Sequence, residues 1–151
     1  MSEPVTSRKR YWSWLLWWEV DPSELDAQVA NYERLSILKS ARGQSALCFV
    51  FSVILTALLA SVGILAPNAY VDMVLMAALA VFIYFGHRWA MIAGMILWTA
   101  EKGLMFAFGL HSLARGGITQ IIWWCVYMHA FYFAFRVEQA RRARLPAAAA
   151  T

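Results

Sequence analysis

Glu101 and Lys102 stand side by side in the middle of a stretch that is otherwise apolar from Trp89 to about Leu110. An ionisable residue at the centre of a membrane span costs about 2.5 to 3.5 kcal/mol on insertion scales, so such residues gather inside bundles, on ion or proton paths, or against partners. The apolar residues around this pair return only about 0.3 to 0.6 kcal/mol each, so the stretch inserts poorly unless its charges find company. A second polar set offers that company. Cys125, His129, Tyr132 and Arg136 recur at steps of four, three and four, which places them on one face of a helix. With a rise of ~1.5 Å per residue, Glu101 and His129 fall within about 5 Å of the same depth. The spacing therefore predicts contacts of Glu101 with His129 and Tyr132, while Lys102, about 100° around the helix, joins from the side or meets a partner chain. Carboxyl, ammonium and imidazole at one depth suit either of two roles: a structural clasp that fixes helix register, or a group that exchanges protons near neutral pH. Trp98, one helical turn from both charges, packs in the core or lays its ring against the Lys102 ammonium.

Other chemistry finds no support in the residue pattern. Cys48 and Cys125 lie in separate apolar runs whose predicted depths differ by roughly 10 Å, too far for a disulfide. No CxxC and no Cys/His cluster of zinc-binding spacing occurs. His87 and His111 each end an apolar run, and with His129 between them in depth no two histidines are matched to hold haem within one chain. No nucleophile sits beside a base, so an enzyme is not expected, nor a metal or cofactor.

The elements that must position the polar residues follow from the apolar pattern. The chain has 151 residues, 62% of them hydrophobic and 15% charged, which is too greasy for a water-soluble domain of this length. Four runs approach the ~20 residues needed to cross a bilayer: about 45–65, 70–85, 89–110 and 118–135. The first ends at Pro67-Asn68, the second is the shortest and carries Asp72 near its start, and Gly86-His87-Arg88 forms a tight turn into the third. Small residues stripe the first run at Ser45, Ser52, Thr56, Ala60 and Gly63, and the third at Ala90, Gly94, Gly103 and Ala107, as close helix packing in lipid requires.

Residues 1–43 read as a cytoplasmic and interfacial region. Trp12, Trp14, Trp17 and Trp18 follow Arg8-Lys9-Arg10 in a stretch too short to span, an interfacial anchor by residue type. Asp21-Pro22-Ser23-Glu24 spells a helix start, with Asp as N-cap, Pro at the first position and Glu at the third. Leu25, Val29, Tyr32 and Leu35 continue at helical spacing, predicting an amphipathic helix of about 20 residues toward Gly43. The segment 137–151 reads as a solvated, structurally idle tail.

Arg8, Lys9, Arg10, Arg34, Lys39, Arg42, Arg88, Arg136, Arg141, Arg142 and Arg144 flank the runs on one side, against Arg115 on the other. Eleven against one places both termini in the cytoplasm. The expected fold is therefore an all-α membrane protein, a four-transmembrane-helix bundle preceded by an N-terminal amphipathic helix. Small size and the lack of a cleavable leader point to a bacterial inner membrane. The expected partners are the lipid bilayer and proteins within it, or further copies of the chain, and not nucleic acid. Two functions follow. The first is a non-enzymatic accessory or assembly subunit of a larger membrane complex. The alternative is an oligomeric transporter or channel that handles protons or cations through Glu101 and His129.

Overall fold

The computed structural model describes residues 18–64, 69–107 and 117–148, with side chains described as far as Arg144. These residues form five helices and no strand: α1 (Pro22–Ala30), α2 (Ala41–Ser61), α3 (Ala69–Tyr84), α4 (Arg88–Ala107) and α5 (Gly117–Ala148). Three helical stretches, Ala41–Ser61, Arg88–Ala107 and Gly117–Arg144, are long and apolar enough to cross a membrane. α3 is apolar but has 16 residues, a length of about 24 Å at helical rise.

The helix start read at Asp21 is present in full. Asp21 Oδ1 accepts from the Ser23 amide at 2.8 Å and from the Ser23 hydroxyl at 2.7 Å, and these bonds hold its carboxyl below its ordinary range. The expected length is not reached, because α1 has nine residues and stops at Asn31 instead of continuing to Gly43. Local hydrogen bonding explains the stop. Asn31 returns its side-chain amide to the Ala27 carbonyl at 3.0 Å, and Gln28 bridges the following turn by donating to Lys39 O and accepting from the Ala41 amide. Ser40 then caps a new helix by accepting from Gly43 N at 3.1 Å. Asn and Ser side chains that satisfy backbone groups this way compete with a continuing helix. Gly43 completes the arrangement: a Cβ there would collide with the Ile37 carbonyl.

α2 and α3 form one antiparallel hairpin and α4 and α5 the other; α2 also packs on α5 and α3 on α4, so the four helices close into a ring. Phe49, Ile83, Met91 and Phe131, one from each helix, are fully buried at its centre. The Phe49 and Phe131 rings lie 4.8 Å apart. Gly94 admits the Phe49 ring, since a Cβ there would come within 3.0 Å of it.

The small-residue stripe of α2 is used at one end. Ser45 Oγ bonds to the Ala130 carbonyl of α5 at 2.7 Å, and Ser52 is also buried against α5. By contrast Gly63 and Gly103 meet nothing within 4 Å among the described residues. Asp72 lies exposed in the first turn of α3, where a carboxylate complements the helix dipole. The C-terminal segment departs from the expected idle tail. α5 runs unbroken for 32 residues, about 48 Å at helical rise, and Val137 and Glu138 beyond the apolar run are buried.

Candidate functional site

Two polar centres lie along α5. The first surrounds the expected pair on α4. Lys102 Nζ donates to Glu101 Oε1 at 2.9 Å, and the Lys102 side chain is 12% exposed against 32% for Glu101. Adjacent residues on a helix do not face each other, but the lysine stem is long enough to bring its ammonium round to the carboxylate. The same ammonium lies 4.3 Å from the centre of the Trp98 ring. Trp98 in turn stacks on Tyr127 of α5, with centroids 4.3 Å apart and planes 8° from parallel. The Tyr127 hydroxyl donates to the Cys48 carbonyl of α2 at 2.9 Å. Its one proton is then committed, so the Ser52 hydroxyl at 2.9 Å must be the donor in the bond between them. A continuous line of contacts thus runs from the ion pair on α4 through α5 to α2.

Trp98 therefore fulfils both readings of its role, being buried and a cation–π partner at once. The contact set expected for Glu101 is not formed. His129 stacks on Phe133 at 6.2 Å, and its buried Nδ1 has no hydrogen-bond partner among the described residues. Tyr132 accepts from Arg136 at 3.1 Å. The helical stripe was real, but residues three and four apart on α5 bond along that helix instead of across to α4. Thr99 makes the polar crossing here: it accepts from Trp124 Nε1 at 3.1 Å and donates to Met128 Sδ at 3.6 Å. Cys48 and Cys125 are free thiols. Of the interfacial anchor, Trp18 is exposed, while Trp12, Trp14 and Trp17 lie outside the described residues, as does His111. No group of residues that could hold a metal occurs among the described residues.

The second centre, at the basic end of the bundle, was not anticipated. Glu138, one turn beyond the apolar run that ends at Phe135, has 1% of its side chain exposed. Its carboxylate accepts from Tyr32 Oη at 2.8 Å, from Arg141 Nε and Nη2 at 3.1 and 3.0 Å, and from Arg142 Nε at 2.7 Å. The four bonds from Arg141, Arg142 and Tyr32 satisfy this carboxylate although it is buried. The pKa of the Tyr32 hydroxyl is raised, chiefly by burial and then by its bond to Glu138. The guanidinium groups of Arg42 and Arg141 lie 4.2 and 4.4 Å from the Tyr32 ring centre. Arg142 Nη2 also reaches the Gly86 carbonyl at 3.3 Å. One buried carboxylate therefore joins the segment after α1, the turn between α3 and α4, and the end of α5. Arg144 adds an ion pair with Asp26 on α1. The only advance signal in the sequence is a lone glutamate among Arg136, Arg141, Arg142 and Arg144, in a segment that reads as a solvated tail.

Compared with protein-family models, curated proteins and solved structures, the chain shows no match.

Proposed function

We propose that this chain is a multi-pass membrane subunit without enzymatic activity that works within a larger membrane assembly, meeting a partner at the Glu101 face of α4. The exposure of Glu101 carries this reading. Lys102 is covered by Trp98, but almost a third of the Glu101 side chain is exposed although it lies within an apolar helix. A carboxylate facing acyl chains is costly, so a neighbouring protein segment is the cover that physics favours. The reading takes α3 as a fourth crossing that meets its short length by local thinning of the bilayer. It places both termini in the cytoplasm, by the excess of basic flanks, and the chain in a bacterial inner membrane. Purification of the full chain in mild detergent should bring down an unrelated polypeptide in fixed stoichiometry. A photo-crosslinker at Leu104, exposed one turn from Glu101, should capture the same polypeptide. Recovery of the chain alone or only as a homo-oligomer overturns the reading.

One observation favours a second role, proton or cation handling. The Nδ1 of His129 is buried and has no hydrogen-bond partner among the described residues, and a buried polar atom left unsatisfied within a membrane bundle calls for an explanation such as an ion or proton path. In liposomes this role requires a pH-dependent flux that Glu101→Gln or His129→Phe abolishes. Flux absent from the wild type, or unchanged in both variants, removes it.

A further inference from the structure

The turn between α3 and α4 meets the end of α5 at a cleft of about 620 Å³ lined by His87, Arg88, Trp89, Ile92, Phe135 and Arg142. Its lining divides by chemistry. Two guanidinium groups and an imidazole supply its polar lining, and Trp89, Ile92 and Phe135 its apolar lining. The cationic lining has unspent capacity. Arg142 spends Nε on Glu138 and Nη2 on the Gly86 carbonyl, which fixes the guanidinium and leaves Nη1 without an acceptor among the described residues. Arg88 is exposed and makes no ion pair among the described residues. The charges do not cancel either, because the single Glu138 carboxylate already serves both Arg141 and Arg142, and Arg88 brings a further positive charge. His87 is held in place by ring contacts with Phe82 and Trp89 at 5.6 and 6.4 Å.

We propose that this cleft binds an anionic phospholipid of the leaflet at the basic end of the bundle, with its phosphodiester between Arg88 and Arg142 and the first part of an acyl chain along Trp89, Ile92 and Phe135. Guanidinium groups match phosphate oxygens in geometry as well as charge, and basic pockets between membrane helices hold anionic headgroups. The apolar lining selects a lipid over a soluble phosphate, since inorganic phosphate gains nothing from Ile92 and Phe135. The cleft adjoins the turn where the apolar runs of α3 and α4 end, the depth at which a lipid changes from headgroup to hydrocarbon.

Native mass spectrometry of the full chain, released from detergent micelles doped with equimolar phosphatidylglycerol and phosphatidylcholine, tests the assignment. The wild type should retain phosphatidylglycerol preferentially. Loss of one basic contact near a membrane surface lowers binding by about five-fold, so Arg88→Gln should reduce the preference by that order, with Arg88→Lys in between. Ile92→Trp, which fills the apolar part and leaves every charge, should lower retention of the same lipid. Arg34→Gln, distant in sequence and exposed, serves as the control and should change nothing. Equal retention of both lipids, an equal loss in the control, an undiminished preference in Arg88→Gln, or displacement of the lipid by inorganic phosphate would each overturn the proposal. Should Arg88→Gln fail to fold, Ile92→Trp and phosphate competition on the wild type still decide it.

Discussion

Tyr32 and Glu138, 106 positions apart, share a 2.8 Å hydrogen bond that ties the segment after α1 to the final turns of α5. The bond is one of four that a buried carboxylate accepts, so its removal differs in kind from the removal of the carboxylate itself. Tyr32→Phe deletes a single donor and should cost about 1.5 to 3 kcal/mol, the range for a hydrogen bond to a charged group. Glu138→Ala leaves Arg141 and Arg142 without their shared anion and should cost about 3 to 5 kcal/mol. Thermal unfolding in detergent, followed by circular dichroism, should give that order; equal losses would show that the carboxylate has no role beyond Tyr32.

Tyr32 sets an alkaline limit. Its hydroxyl is raised in the folded state, so its contribution is full below its unfolded value near 10 and is lost as pH climbs through the raised one. Stability should therefore decline above about pH 9. In Tyr32→Phe this alkaline decline should shrink; an unchanged alkaline limb would assign it to other groups.

Gly86 turns the chain from α3 into α4 at φ +78°, and a Cβ there would lie 2.9 Å from Tyr32 Oη and 3.2 Å from Glu138 Oε2. Gly86→Ala should thus pay about 1 to 2 kcal/mol for the left-handed backbone and also displace the buried pair. Gly63, at φ +72° but with nothing within 4 Å of its Cβ, should pay the backbone cost alone. A Gly63→Ala protein no more stable than Gly86→Ala would show that the neighbours of Gly86 do not matter.

How far these features could be read in advance depends on whether the signal was local. The cap at Asp21 and the turn at Gly86 are local patterns and were legible. The end of α1 was not, because hydrophobic spacing runs through Leu25, Val29, Tyr32 and Leu35 while Asn31, Gln28 and Ser40 redirect the backbone. Glu101 and Lys102 were legible as costly groups; their mutual pairing, with Trp98 as lid, depended on a side chain bending round its own helix. Glu138 was hidden because its burial arises from Tyr32 and Gly86, far away in sequence, and beside four arginines it reads as part of a solvated tail.

The ion pair at mid-span predicts a charge-balance effect. Lys102→Met strands the Glu101 carboxylate, and Glu101→Gln strands the ammonium, each at about 2.5 to 3.5 kcal/mol of insertion cost. The double substitution removes both charges and should insert at least as well as the wild type. Glycosylation-mapped insertion of the α4 segment measures this directly; a double variant that inserts no better than the single ones would refute the balance.

Tyr127→Phe removes both bonds that link α5 to Ser52 and Cys48 of α2, while the stack on Trp98 survives. Interhelical hydrogen bonds in membranes average about 0.6 kcal/mol, with a maximum near 1.7, so the loss should stay below about 2 kcal/mol. Tyr127→Ala, which also empties the space against Trp98 and Phe131, should exceed it clearly. Comparable losses would mean that the ring contributes no packing.

The unbroken length of α5 has a mechanical consequence. The helix is held at Tyr127 by the Trp98 ring and at Glu138 by Tyr32. Eleven residues, about 16 Å of helix, separate the two grips. One continuous helix therefore carries both the contact with α4 at Trp98 and the contact with the segment after α1 at Tyr32, so a change of its register would alter the two together.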